Sequence, residues 1–401
     1  MSDVICFANE WSGDPLSKKH VMLELAREHR VIWINSINNR QPRIASKDFR
    51  RSAEKLRGFF RGLQHVQANI WVLTPIFVPL HGSSIARWIN RVLLRTQIRR
   101  ALRRLRFTDP ITWTFMPTSA DVVGQLGEEF VLYHCVDEYA AFSDASGAVR
   151  DRENDLLTRS NLVVVSAAAL LESKRQINPR TYLVTHGVDY DHFRRAVDPA
   201  TPLAPELAAI PRPILGFHGL IADWVDLPVM AEIARRRPDW SIVLIGKVDT
   251  DLSALSGLAN VHLVPRQPFK RLPEFLKGFD IAILPFVQNE LTVNANPLKL
   301  REYIAAGLPV ISAPLPEVRR LQESVYLATT ADEYIAIAAK ILATGDTGPS
   351  STRSLAMQNE SWHNKVQEIT ALIATTFPDS KAARLHTSAQ TMISSEMHQS
   401  R

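Results

Sequence analysis

The chain has 401 residues, 46% of them hydrophobic, 22% charged and 8% aromatic, with 24 prolines, 16 glycines and 2 cysteines. That length predicts two domains, or three, at about 100–200 residues each. The composition excludes a wholly disordered chain, and no apolar stretch reaches the ~18 residues a spanning helix needs. The first residues lack a basic, then apolar, leader pattern, and Cys6 and Cys135 are too few for a disulfide framework. Both features read as reduced thiols in a cytoplasmic protein. The net charge of +6 conceals a segregation. Residues 40–106 hold sixteen Lys or Arg against Asp48 and Glu54, or +14, and the rest holds thirty-one basic and thirty-nine acidic residues, or −8. A segregated patch of that size calls for an anionic partner such as nucleic acid, anionic lipid or a phosphorylated substrate.

In chain order, Val4–Ala8 reads as a strand, Ser17–Glu28 as a helix and Arg30–Asn35 as a second strand, which makes a βαβ unit. Apolar runs at Ile70–Thr74, Ile111–Phe115, Val131–Cys135, Leu162–Ser166 and Tyr182–Thr185 continue the alternation. Between them, Ile85, Trp88, Ile89, Val92, Leu93, Leu102 and Leu105 recur at near-helical spacing with arginines interleaved. Five prolines between Asp198 and Pro213 mark a linker. The plan then restarts, with strands at Pro213–Phe217, Ser241–Ile245, Val261–Leu263, Ile281–Pro285 and Val310–Ser312, and helices near Leu227–Arg237, Leu272–Lys277, Leu298–Ala306 and 357–376. Two doubly wound α/β domains follow, 1–197 with the basic insert 40–106, and 198–376, with 377–401 as a disordered tail. Ligands of such sheets bind beyond the carboxyl ends of strands, so facing domains enclose a cleft.

Thr292–Val310 carries the most chemistry. Asn296 suits a helix cap, Pro297 the first helical position and Gly307 the end. The helix start then offers unpaired N–H groups and partial positive charge to a diphosphate, and Lys299 adds a full charge. Glu302, three residues on, can accept two hydrogen bonds from a ribose diol. From helix chemistry alone, an ordinary capped helix with a surface Lys–Glu pair is the plainer reading. Asp137 ends a first-domain strand at the cleft, where it could orient an acceptor hydroxyl or form an Asx turn. Glu10, Trp11 and Gly13 occupy the first βα loop, and Trp11 could stack on a sugar ring or pack inward. Arg266 follows a strand and suits phosphate or base contact. Lys247, His134 and His186 are weaker candidates, with His134 and His186 suited to packing. No Cys/His cluster, Asp-x-Asp pair, nucleophile elbow or Walker loop is present.

Thr292–Val310 resembles the nucleotide-sugar motif of GT-B glycosyltransferases of family 4 and the group 1-like families, a Glu-x7-Glu pattern running into a helix that ends Ala-x-Gly-x-Pro-Val. Glu302 matches the second Glu, and Asn294 stands in place of the first. His186-Gly-Val-Asp189 with Phe193, Gly216-Phe-His-Gly219, Trp240–Gly246, Asn260–Val264, Leu272–Leu276 and Phe279–Pro285 resemble further family segments in the family's order, as does Val131–Tyr139. The resemblance spans about residues 1–376 and is weakest over 40–106. The family's Arg and Lys pair after the glycine loop has no match, since Asp223 and Asp226 are the only charges between Gly219 and Pro228.

The resemblance implies a GT-B fold of two Rossmann-like domains facing a cleft, with a C-terminal helix able to pack back on the first. It implies transfer of a sugar from a nucleotide diphosphate sugar to a polysaccharide, lipid-linked or other acceptor, retaining and metal-independent, in cell-surface or exopolysaccharide synthesis. The implied nucleotide-sugar residues are Gly219, Arg266, Asn294, Asn296, Leu298, Lys299 and Glu302. Asp137 and Lys299 would be catalytic, and Glu10, Trp11 and Gly13 would hold the acceptor. No cofactor beyond the co-substrate and no metal is implied. The basic stretch 85–106 reads as a surface for the anionic inner leaflet, as a core-packed helix with a wet basic face, or, least, as a nucleic-acid surface without an RNA module; no nucleic-acid partner is expected. A GT-B-fold sugar-nucleotide epimerase and a non-catalytic carbohydrate- or membrane-surface binding protein stay open, the latter because of Asn294.

Overall fold

The computed structural model describes residues 1–36, 62–77, 84–142 and 147–386. The basic residues at 40–61, the side chains of 84–87 and the tail 387–401 lie outside that description. The first sheet contains β1 (Asp3–Ala8), β2 (Arg30–Asn35), β3 (Leu63–Gln67), β4 (Ile70–Leu73), β5 (Ile111–Thr114), β6 (Phe130–Cys135), β7 (Leu162–Val165) and β8 (Thr181–Leu183). The second contains β9 (Ile214–His218), β10 (Ser241–Gly246), β11 (Val261–Pro265), β12 (Ile281–Leu284), β13 (Val310–Ser312) and β14 (Tyr326–Leu327). Spatial order is β3-β4-β2-β1-β5-β6-β7-β8 in one and β11-β10-β9-β12-β13-β14 in the other.

All pairs are parallel except β3 with β4, a hairpin on the outer edge. Strand order reverses between β1 and β5 in the first sheet and between β9 and β12 in the second. These two switch points are where such sheets take ligands. The hairpin strand β3 is half polar (Leu-Gln-His-Val-Gln) and exposed along most of its length, so it carries no apolar signal in sequence. β14, a Tyr-Leu pair, is too short to stand out as an apolar run.

The helices that matter are α1 (Ser17–Leu25), α2 (Ser84–Leu105), α3 (Gly147–Arg159), α4 (Ala168–Arg175), α5 (Leu227–Arg236), α6 (Leu298–Ala305), α7 (Ala331–Thr344) and α8 (Trp362–Thr376). Asp226 caps α5 by accepting from the Val229 N–H at 3.0 Å, and Thr330 with Glu333 forms a capping box on α7. Helix α8 leaves the second domain and returns to the first. Its Trp362, Val366, Ile369 and Ile373 share one core with Val4, Cys6, Trp33 and Trp113. The chain continues into a 3-10 turn at Lys381–Leu385, whose Ala382 and Leu385 are buried in that same core. Residues 377–386 are therefore folded, contrary to the disordered tail expected from 377 on, because two apolar side chains there complete the face that α8 covers.

Helix α2 also differs from an apolar face open to lipid. Its Leu94, Ile98, Ala101 and Leu102 pack with Ile5, Phe7, Ile32 and Ile34 of the first sheet. What remains outward is arginine (Arg91, Arg99, Arg100, Arg103 and Arg104) together with Trp88, 64% exposed. Among the described residues no helix is long and apolar enough to cross a membrane.

Candidate active site

The second-domain switch point places β9 beside α6. His218 is the last residue of β9 and Gly219 follows it at φ +143°, a backbone region disfavoured for L side chains. The lysine stem of Lys299 lies across this turn, its Cε 2.8 Å from where a Cβ at Gly219 would stand, and the backbone conformation is what calls for glycine. The opposite wall has a matching constraint, since a Cβ on Gly246 would stand 1.7 Å from the Gly219 carbonyl oxygen. The Gly219 N–H is spent on the Ile245 carbonyl at 2.9 Å. It is therefore not free to donate to a phosphate.

Helix α6 begins differently from its sequence reading. Pro297 is the N-cap and no side chain caps the helix. Asn296 instead donates through Nδ2 to the Ser166 carbonyl of the first domain at 2.7 Å and accepts from Arg301 at 2.5 Å. The cap is lost because this buried amide is used to join the two domains. The consequence is an open helix start: the first-turn N–H groups of Leu298 and Lys299 have no side-chain acceptor, which is the condition for anion binding.

One turn later, the Glu302 carboxylate lies 3.2 Å from His218 Nε2, with 13% and 4% of the two side chains exposed. Burial would raise the Glu302 carboxyl, but Lys299, then His218 and His20, outweigh it and pull it down to about 2. Burial holds His218 below the ordinary imidazole value against the pull of Glu302. The pair is thus a carboxylate facing a neutral imidazole, within 3.2 Å but not aligned as a hydrogen bond. Tyr303 fixes β9 from below, its hydroxyl accepting from the His218 N–H at 2.8 Å.

His20 of α1 closes this pocket from the first domain. Its ring stacks on Trp362 at 5.4 Å and leans on Phe269 at 5.7 Å. Sequence reasoning missed His20 altogether. It quoted His218 inside a glycine motif without giving it a role, although its place at the end of a strand was the available signal.

Other expected residues are dispersed. Asn294 is half-buried and its amide turns back to the Glu290 carbonyl at 2.7 Å. Arg266 is ion-paired with Asp14 of the first βα loop and so bridges the domains. Glu10 and Gly13 are exposed and joined by the Gly13 N–H to the Glu10 carbonyl at 3.1 Å. Trp11 packs edge-on to Trp33 at 5.1 Å with the Lys19 ammonium 4.5 Å from its ring centre. Lys247 is taken by Asp249 at 2.8 Å. His134 and His186 are buried, 3% and 5% exposed. Asp137 lies past the end of β6, half-buried, with its carboxyl raised by burial and held back by Lys18. A separate cavity of about 220 Å³ sits beside the ends of β12 and β13, lined by Asp226, Val287, Thr329 and Tyr334 among others.

A further link clasps the cleft: the Ala168 N–H, at the start of α4, donates to Glu317 of the second domain at 2.7 Å. Among the described residues no group of three His, Cys, Asp or Glu is placed to hold a metal ion.

Comparison with known proteins agrees with this layout. Residues 213–345 match the family model described as Glycosyl transferases group 1. The Bacillus subtilis (strain 168) protein TuaH, named as a teichuronic acid biosynthesis glycosyltransferase, is 26% identical over 264 residues. That match covers 60% of this chain and 65% of TuaH, so it spans just under two thirds of the relative's length. Sucrose-phosphate synthase from Thermosynechococcus elongatus superposes with a TM-score of 0.69 at 14% identity, covering 95% of this chain and 100% of that one. Anabaena Alr3699/HepE, solved with UDP and glucose, superposes with a TM-score of 0.64 at 14% identity, covering 94% and 100%. The chain has the GT-B fold, and residues 213–345 are similar to the Glycosyl transferases group 1 model.

Proposed function

We propose that the chain transfers a glycosyl group from a nucleoside diphosphate sugar to a glycan or lipid-linked acceptor. The observation that carries this is the ionised, nearly buried Glu302, set one turn beyond an uncapped helix start and beside Lys299. The diphosphate lies against the Leu298 and Lys299 N–H groups, and the ribose diol donates to Glu302. Lys299, laid over Gly219, neutralises charge that grows on the leaving diphosphate. A diphosphate oxygen takes the acceptor proton as the glycosidic bond to phosphate breaks and the new one forms on the same face, so the anomeric configuration is retained. The helix start and Lys299 supply the positive charge, and no metal is needed. Asn294 is left to hold a sugar hydroxyl, and Arg266 to exchange Asp14 for the nucleotide. Asp137 orients the acceptor in the first domain, with Glu10, Trp11 and Gly13 at the cleft mouth. His20 and the interdomain bonds exclude water and so limit hydrolysis.

Similarity to TuaH supports an acceptor of cell-surface or exopolysaccharide synthesis. The arginines of α2 and Trp88 support docking on an anionic leaflet by surface attraction, with the apolar side of α2 committed to the core. The donor end is tested by thermal shift with UDP, GDP and their sugars. One nucleotide should raise the melting temperature of the parent by mass action and fail to do so in Glu302→Ala; no shift with any nucleotide would defeat the reading.

A further inference from the structure

The first domain has its own switch point, between β1 and β5, and a lysine fills it. Lys18, in the first turn of α1, is 6% exposed. Its ammonium lies 3.1 Å from Asn9 Oδ1, 2.9 Å from the Tyr139 hydroxyl and 3.8 Å from Met116 Sδ. These partners follow the ends of β1, β6 and β5 respectively. Among the described residues no carboxylate stands within ion-pair distance of this buried cation, and uncharged groups alone are costly company for it.

The direction of the Lys18–Tyr139 bond matters. An ammonium only donates, so the phenol oxygen accepts and its own proton is turned elsewhere. Among the described residues that proton meets no acceptor, and the Asp137 carboxylate meets no hydrogen-bond donor. Asp137 and Tyr139 are both half-buried and lie two residues apart at the cleft edge. They offer one donor and one acceptor to a ligand entering between the domains.

We propose that Asp137, Tyr139 and Lys18 form an acceptor-hydroxyl subsite: Tyr139 donates to one oxygen of the acceptor sugar, Asp137 accepts from a neighbouring hydroxyl, and Lys18 is the positioning residue for both. This rests on the glycosyl-transfer reading and adds to it the class of group recognised, a pair of adjacent hydroxyls on a glycan. Lys18 also opposes the effect of burial on Asp137 and keeps the carboxylate available. The other titratable groups facing Lys18 are Cys6 of β1, His134 and Cys135 of β6, and His186 beyond β8. Burial keeps all four uncharged near neutrality, raising the thiols, bringing His134 to about 3 and lowering His186. Beyond them, Glu138 and Glu153 are held by Lys174 at 2.8 and 2.9 Å.

The test uses the full chain with Lys18→Met, Lys18→Arg and Tyr139→Phe. Two readouts are taken: the melting-temperature rise with UDP or GDP, and release of that nucleotide from its sugar with and without a lipid-linked glycan extract. Lys18→Met and Tyr139→Phe should keep the nucleotide-induced rise and lose at least tenfold of the extract-dependent release. Lys18→Met should also move the acid limb of that release to higher pH, since Asp137 loses its neighbouring cation, and Lys18→Arg should move it back. Should Lys18→Met fail to fold, Tyr139→Phe, which keeps the ring, decides alone. Parental release and an unmoved acid limb would overturn the subsite, as would variants that lose the nucleotide-induced rise together with release, the mark of a structural staple. A parent that shows neither a rise nor release defeats the donor reading itself.

Discussion

The two edges of the cleft are built in opposite ways. In the second domain, Lys299 and Glu302 stand one turn apart on α6, whose open start adds two N–H groups to the same patch. In the first domain, the comparable polar cluster draws on Lys18 of α1 and on Asn9, Met116, Asp137 and Tyr139 from three separate strand ends. The first arrangement comes from helical periodicity within a few residues. The second exists only once β1, β5 and β6 are side by side. A site whose members share a helix survives in a sequence as a motif, and a site assembled across a sheet does not.

That contrast predicts unequal mutational costs. Glu302→Ala should have the largest effect. It removes two charge-assisted hydrogen bonds to the ribose, for a loss of about 3 kcal/mol, or roughly 100-fold in nucleotide affinity by calorimetry. Lys299→Ala should leave affinity closer to the parent and lower kcat about 100-fold, because its charge acts on the leaving group. If both variants fall only in kcat, Glu302 does not hold the ground-state nucleotide.

Replacing Arg100, Arg103 and Arg104 with Gln probes the outer face of the first domain. Each exposed arginine near an anionic surface contributes about 1 kcal/mol. The triple variant should therefore lose most flotation with phosphatidylglycerol vesicles, in a salt-dependent manner, while its nucleotide-induced melting shift stays parental. Equal flotation of parent and variant would remove the membrane surface from the account.

His134 gives a smaller, pH-dependent effect. Burial lowers its imidazole to about 3 in the folded chain, against about 6.5 when unfolded. Between these values the unfolded state binds a proton that the folded state does not, so stability falls as pH drops. The contribution approaches 1.4 kcal/mol per pH unit. His134→Leu should flatten the fall in urea-unfolding stability between pH 6 and 5 by about that amount. An unchanged slope would place the proton uptake on His20, His29, His186, His192 or His218, which burial also lowers.

Asp14→Asn should have the least effect. The Asp14–Arg266 pair is about half exposed on both sides, and such pairs contribute about 0–1 kcal/mol. Nucleotide affinity should rise no more than about fivefold as Arg266 is released. A fall in affinity would show that Asp14 positions Arg266 for the ligand.

Much of the fold is legible in sequence because buried parallel strands are continuous apolar runs. Val4–Ala8, Leu162–Ser166 and Ile281–Pro285 stand out for that reason, and each is found as a strand to within a residue. The hairpin strand Leu63–Gln67 is not legible because it alternates polar residues on an exposed edge. The folded segment at Lys381–Leu385 is missed because Ala382 and Leu385 acquire their partners only from α8 and the first sheet. In the site, Lys299 and Glu302 follow from helix spacing and the family resemblance. Asn296 shows the limit of that approach: the local rule assigns it to a cap, and an interdomain bond to Ser166 takes it away. His20 and Lys18 look like ordinary helix residues until their contacts, on the other domain and on distant strand ends, are seen.

The central claim is most directly tested by a crystal structure of the chain with whichever of UDP or GDP raises its melting temperature. The account predicts the diphosphate against the Leu298 and Lys299 N–H groups, with the ribose hydroxyls on Glu302. A nucleotide seated instead in the cavity lined by Asp226, Val287, Thr329 and Tyr334, or anywhere away from α6, would contradict it.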